Sequence, residues 1–245
     1  MENWFWILGW SLSILTMAGN GLVIFIVCRK QRLRTKTNAF IVSLAVADFF
    51  VGMSAVPSLL FCEMAGGCDT QGLNSDGIDY IRWLFGYASV ANLCNLVLDR
   101  FIAVAKPLKY LTFMKRRRVI QMIFTSWAIP ITFSAFVSLQ WFNSKKPLTI
   151  TINGWLCLGL ELLFCAVVIF CFASMLRVVW KHKRSARILA KQLRFNHQVL
   201  RKTEGKSAVK MMAIVIGVFL ITHGIALRCS FVHILDGNKP CNDLQ

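Results

Sequence analysis

The chain has 245 residues, 56% of them hydrophobic and only 16% charged, with a formal charge of +17. A soluble domain carries about 25% charged residues; here the polar residues cluster between long apolar runs, the pattern of a chain whose solvent is lipid. The basicity does not indicate nucleic acid, because 23 of the 28 Lys and Arg fall within 29–36, 100–118 and 177–210, on alternate loops and not on one soluble face.

Six apolar segments follow in chain order, at about 4–28, 38–61, 78–105, 117–141, 154–180 and 207–235. Each reaches the ~20 residues that a membrane-spanning helix needs, so the expected fold is an all-α transmembrane bundle, one domain over 1–245. The first segment begins directly after Met1–Asn3 without a basic leader and is expected to act as its own insertion signal. It contains Asn20, and the second contains Asp48. The third is the least apolar, with Arg82, Asn92, Asn95, Asp99 and Arg100; polar groups facing lipid are costly, which places this helix at the bundle centre. The fourth carries Trp127 and the fifth Glu161. The stretch 181–206 is basic and helix-compatible, suited to a partner or an anionic lipid surface, or to a solvated extension of its flanking helices. The sixth segment carries His223. Tryptophans 4, 6, 10, 83, 141, 155 and 180 lie near segment ends, where indoles anchor at headgroup depth.

Basic loops stay in the cytoplasm, so the three basic segments are read as inside and the amino terminus as outside. Cys28, Cys94, Cys165 and Cys171 lie in or at the ends of apolar runs and are expected as packed thiols. Cys62, Cys68, Cys229 and Cys241 fall near the outer face, where Cys229 with Cys241 and Cys62 with Cys68 are candidate disulfides whose connectivity the sequence leaves open.

Counted from the inner helix ends at 1.5 Å per residue, Asn20, Asp48, Ser89 and Trp127 share a depth of roughly 12–16 Å. An ionisable Asp at that depth needs partners, and Asn20 and Ser89 can both donate to it. Two readings stand: a monovalent cation site, with Na+ at Asp48, or a hydrogen-bonded packing cluster without an ion. At the inner edge, Asp99-Arg100-Phe101 ends the most polar helix, where the adjacent charges can pair or Arg100 can reach a partner's carbonyls.

Together these residues resemble the rhodopsin-like (class A) G protein-coupled receptors, nearest to the amine and adenosine types. Gly19-Asn20 resembles the family's GN, Leu44-Ala45-Val46-Ala47-Asp48 its LAxAD, Ser89 its sodium-site serine, and Asp99-Arg100-Phe101 its DRY with Phe for Tyr. Pro107-Leu108 is similar to the PL of the second inner loop, and Trp127 to the tryptophan of helix four. The resemblance implies a ligand-driven activator of heterotrimeric G proteins, with Asp99, Arg100, Phe101, Pro107 and Leu108 on the G protein side and Asn20, Asp48 and Ser89 as an ion-sensitive polar core. It implies a small-molecule or peptide ligand in the outer half, near Arg82, Phe85, Glu161 and His223. Amine receptors carry an aspartate where Arg82 stands, which argues against a simple amine and for an anionic group; the alternative is that Arg82 pairs with Asp79, Glu161 or a lipid phosphate. His223 reads either as a pH-sensitive group or as a hydrogen-bonded interior histidine.

The second half departs from the family pattern. Thr222-His223-Gly224-Ile225 stands where CWxP would, Val167 replaces the proline of helix five, and Met175 replaces its tyrosine. The chain ends at Gln245 in what would be the third outer loop, before the family's seventh helix and its NPxxY, so six of seven helices are expected, as a fragment or a shortened member. Two other readings are a non-signalling protein that pairs with full-length receptors and a small-molecule transporter. A transporter would favour paired repeats with broken helices, and neither half repeats the other. No metal-ligand spacing, nucleophile triad or phosphate loop points to an enzyme.

Overall fold

A computed structural model of the chain describes residues 3–64, 75–143, 147–192 and 216–217. Among these, every regular element is helical: α1 (Asn3–Arg29), a single 3-10 turn (Gln31–Leu33), α2 (Lys36–Met64), α3 (Ser75–Ala105), the short α4 (Pro107–Phe113), α5 (Arg116–Asn143) and α6 (Pro147–Gln192). Five are long and apolar enough to cross a membrane, at Gly9–Arg29, Lys36–Ser54, Tyr80–Ala105, Arg116–Gln140 and Thr151–Lys181. Large apolar side chains such as Leu15, Phe124 and Phe170 point outward on them, as they do where the surrounding solvent is hydrocarbon.

The expected segments at 4–28, 38–61, 78–105, 117–141 and 154–180 correspond to α1, α2, α3, α5 and α6; the sixth, at 207–235, lies outside the described residues apart from 216–217. One boundary is corrected. The outer loop expected at about 142–153 is largely helix, since α6 begins at Pro147. At its other end α6 continues into the basic stretch as far as Gln192, in keeping with the reading of 181–206 as a helical extension. Pro147 can occupy the first helical turn, where its missing N–H is one of the orphan donors in any case. The short helix α4 interrupts the basic segment 100–118 and was not expected; Pro107 at its first position is the signal that announces it.

The chain divides into two compact units, Met1–Leu96 with Leu111–Lys145, and Val97–Tyr110 with Lys146–Gln245. In the first, side chains terminate and start the helices. Arg34 donates to the Cys28 carbonyl at the end of α1 (2.7 Å), satisfying an acceptor the helix itself leaves open. Thr35 caps α2: its Oγ1 accepts from the Asn38 N–H (3.2 Å) and its carbonyl from Ala39. Lys115 heads α5, where its carbonyl accepts from Arg118 and Val119. Met114 and Val119, both buried, occupy the positions of a hydrophobic staple around that cap. Cys28, expected to be packed, is exposed; Cys94 is buried. Between α1 and α2 the Ser13 hydroxyl donates to the Gly52 carbonyl (2.5 Å). A Cβ on Gly52 would meet Met17 Cγ at 3.0 Å and the Ser13 carbonyl oxygen at 3.2 Å, so glycine permits this close approach.

Within this unit α3 is buried over most of its circumference, with Tyr87, Ala88, Val90, Ala91, Asn92, Leu93 and Cys94 all inside. That is the central placement its polar residues called for. In the second unit α6 buries one stripe, Leu158, Glu161, Cys165, Val168, Cys171 and Met175, while Leu162, Leu163, Ile169 and Phe170 face out. The spacing of the buried set follows the 3.6-residue period of a helix with one inward face.

Candidate functional site

The polar residues of α3 at positions 89, 92 and 95 recur every three residues and therefore share one face. Between them they reach two helices, α2 and α5. Ser89 donates its hydroxyl to the Asp48 carboxylate of α2. Asn92, fully buried, accepts from the Ser43 hydroxyl at 2.7 Å and donates to the Ala88 carbonyl of its own helix at 2.8 Å. Ser43 in turn accepts from the Trp127 indole N–H at 3.0 Å, so one hydroxyl joins α2, α3 and α5. Asn95 donates to Ser126 Oγ (2.5 Å) and to the Met122 carbonyl (2.9 Å) of α5. The result is a ladder of three polar tiers stitching α3 to its two neighbours through groups that lipid cannot satisfy.

Aromatic rings close the ladder on one side. Phe50 and Phe85 stack with centroids 4.8 Å apart, and Phe85 meets Trp127 edge-on at 6.5 Å. Phe85, expected on a ligand pocket wall, packs between Phe50 of α2 and Trp127 of α5. Asn20 does not join Asp48: its amide donates to the Thr16 carbonyl of its own helix at 2.9 Å. One turn of α1 offers that carbonyl at no cost in chain rearrangement, which is the local competition short polar side chains exploit.

At the basic end, Asp99 is fully buried, and Arg100 Nε lies 3.6 Å from its Oδ2. The Tyr110 hydroxyl donates to Asp99 Oδ1 at 2.9 Å. This ties α4 to the end of α3 across a stretch of eleven residues. Phe101 is half-buried. Leu108, on the same short helix as Tyr110, is 86% exposed. The side chain of Pro107 lies outside the described set.

Of the remaining candidates, Arg82 is exposed on α3 in one unit and Glu161 is buried on α6 in the other. His223, Cys68, Cys229 and Cys241, and the side chain of Cys62, lie outside the described residues. Sequence reasoning missed Ser43 and Tyr110. Ser43 had a signal, because a buried indole N–H needs an acceptor and Asn92 lies one turn from Ser89 on the same face. Tyr110 had none beyond its nearness to a buried acid.

Residues 19–245 match the family described as 7 transmembrane receptor (rhodopsin family). The chain belongs to this family. It is therefore a multi-pass membrane protein of a receptor family, and not an enzyme. Among its relatives, Dopamine receptor 4 of Caenorhabditis elegans is 35% identical over 138 residues, 56% of this chain and 26% of that protein. The Dopamine D2-like receptor of Drosophila melanogaster is 39% identical over 116 residues, 47% of this chain and 13% of the relative. The Octopamine receptor beta-3R of the same fly is 33% identical over 141 residues, 56% of this chain and 11% of the relative. The aligned part of this rhodopsin-family chain thus spans about a quarter or less of the length of these receptors.

Proposed function

We propose that this rhodopsin-family chain is the membrane-embedded part of a receptor that answers an extracellular ligand by acting on heterotrimeric G proteins from its basic end. The observation that carries the reading is Leu108, 86% exposed on a helix outside the five candidate spans. A large apolar side chain held out beyond the membrane suits a protein partner's pocket, and the Tyr110–Asp99 hydrogen bond fixes the helix that presents it. Beside it, the Asp99 carboxylate is shared between Tyr110 and Arg100. A state in which Arg100 leaves Asp99 would offer the guanidinium to a partner's carbonyl groups, and a ligand that binds this state more tightly would populate it.

In this reading the basic segments lie in the cytoplasm of the plasma membrane and the amino terminus outside. The oxygen donors of Asp48 and Ser89 fit a monovalent cation as two of its ligands, with Asn20 not among them; a cation there would neutralise the half-buried carboxylate. The ligand is a small molecule or peptide. Arg82 suits an anionic or neutral group better than the ammonium of the amines for which the relatives are named.

The test is GTP-analogue loading of purified heterotrimers by the chain in lipid nanodiscs, with Leu108→Ala alongside. Loading above the empty-nanodisc rate, lowered about tenfold by L108A, is expected, since burying a leucine side chain contributes about 1.5–3 kcal/mol. Loading that L108A leaves unchanged removes the basis of the proposal.

A further inference from the structure

The inward stripe of α6 starts with an amide that has nothing to bond. Asn153 is 5% exposed, and among the described residues neither its Nδ2 nor its Oδ1 has a hydrogen-bond partner. The amides of Asn20, Asn38, Asn92 and Asn95 all donate to a carbonyl, so this fold ordinarily satisfies such groups. Asn20 and Asn92 do so on the carbonyl four residues back on their own helices. Asn153 does not take the equivalent carbonyl of Thr149. An interior carboxamide left without partners is costly, and hydrocarbon around a span supplies none. Asn153 is the third residue of the candidate span Thr151–Lys181, at the end away from the basic Lys181 and therefore in the half read as outer. Further along the same stripe come Leu158 and then Glu161, both buried, the acid about 12 Å from Asn153 along the helix axis.

We propose that Asn153 is a specificity-determining residue for the ligand, and that the ligand presents an uncharged carboxamide or peptide group to it. The inference rests on the reading of the chain as a ligand-binding receptor and not on its coupling to a G protein. A carboxamide carries two N–H donors on one atom and an acceptor on the other. A ligand carboxylate would satisfy only the Nδ2 donors and leave Oδ1 open, and an ammonium would satisfy only Oδ1. A second amide meets both atoms at once, through two parallel hydrogen bonds in one plane. Glu161 on the same stripe adds a bias against an anion, because like charges repel more strongly where water is excluded. Leu158 between the two polar residues suits the apolar part of such a molecule.

The experiment uses the full chain in lipid nanodiscs and three probes on one benzyl frame: phenylacetamide, phenylacetate and phenethylamine. Binding is read by saturation-transfer NMR, with empty nanodiscs subtracted. Phenylacetamide should bind with a Kd of about 10 mM or tighter, in keeping with its size, and phenylacetate about tenfold more weakly. Asn153→Leu keeps the branched shape and Asn153→Val is smaller than leucine; both lack the amide. Each should weaken phenylacetamide about tenfold, the loss of two neutral hydrogen bonds, and leave phenethylamine unchanged. Without any probe, the more stable of the two variants should melt about 2–4 °C above the parent chain, because the orphaned amide is gone. A structural amide would give the opposite sign. The proposal is overturned if phenylacetamide does not bind, if phenylacetate binds as tightly, or if amide binding survives both N153L and N153V. It is also overturned if both variants melt below the parent chain, or if they weaken phenethylamine as much as the amide. None of these readings involves a G protein, so they stand apart from the GTP-analogue loading.

Discussion

Replacing Ser43 with alanine removes a single oxygen that serves three helices. Its hydroxyl donates to Asn92 Oδ1 at 2.7 Å and accepts from Trp127 Nε1 at 3.0 Å, and both Ser43 and Asn92 are buried. Truncation therefore leaves one acceptor on α3 and one donor on α5 without partners. In a water-soluble core each orphaned group costs about 1–3 kcal/mol. In a bilayer the coupling per interhelical bond averages about 0.6 kcal/mol and reaches about 1.7, because the helices separated in lipid also find partners. Two bonds then give about 1–3 kcal/mol, and the membrane figure governs because the tier lies within the candidate spans. Ser54→Ala is the matched control: same helix, same atoms deleted, also buried, but among the described residues its hydroxyl bonds only the Val51 carbonyl of its own helix. It should cost under about 0.5 kcal/mol, like other substitutions that break no network. Thermal unfolding in nanodiscs would read the difference as a Tm lower by several degrees for S43A than for S54A. Equal Tm values would mean that the shared hydroxyl does not hold the helices together, and the three-tier ladder would lose its energetic meaning.

Gly52→Ala should destabilise by about 1–2 kcal/mol, since its Cβ would press on the Ser13 backbone oxygen and Met17; Gly86→Ala, with open space at its Cβ, should be neutral or gain up to about 1 kcal/mol of helix propensity. Paired melting curves test this, and equal losses at the two sites would refute the close α1–α2 contact. Tyr110→Phe removes a donor to the buried Asp99 carboxylate and should cost about 1–2 kcal/mol. Amide hydrogen exchange should quicken in 106–113 and stay unchanged in α1; unchanged exchange throughout would mean that the bond does not anchor α4. Sodium chloride in place of N-methylglucamine chloride at equal ionic strength should raise the Tm of the parent chain and not that of Asp48→Asn. A rise that D48N retains would place the ion elsewhere.

The helices were legible because lipid imposes a simple rule: an apolar run of about 20 residues must satisfy its own backbone bonds. Asp99 with Arg100, and Asp48 with Ser89, were legible because a charged or strongly polar residue in such a run has few partners to choose from. Asn20 misled because a local carbonyl at Thr16 competes with any distant carboxylate, and depth along a helix fixes height but not the direction a side chain turns. Nothing in the sequence position of Phe85 announced its stacking on Phe50. The helical extension of α6 to Gln192 was one of two readings of the basic stretch, since a run of Lys and Arg ends the apolar signal without ending the helix. Helix α4 and Tyr110 depend on a tertiary bond to Asp99 that no periodicity encodes.

Coupling to a G protein requires the Leu108 end to face the cytoplasm. Single cysteines at Leu108 and Leu148, both exposed and at opposite ends of the fold's helices, can be scored in intact cells with a membrane-impermeant maleimide, as gain over the parent chain. Labelling of L148C in intact cells, and of L108C only after permeabilisation, is the predicted result. Labelling of L108C in intact cells would put Asp99, Arg100 and Leu108 outside, where no G protein can meet them.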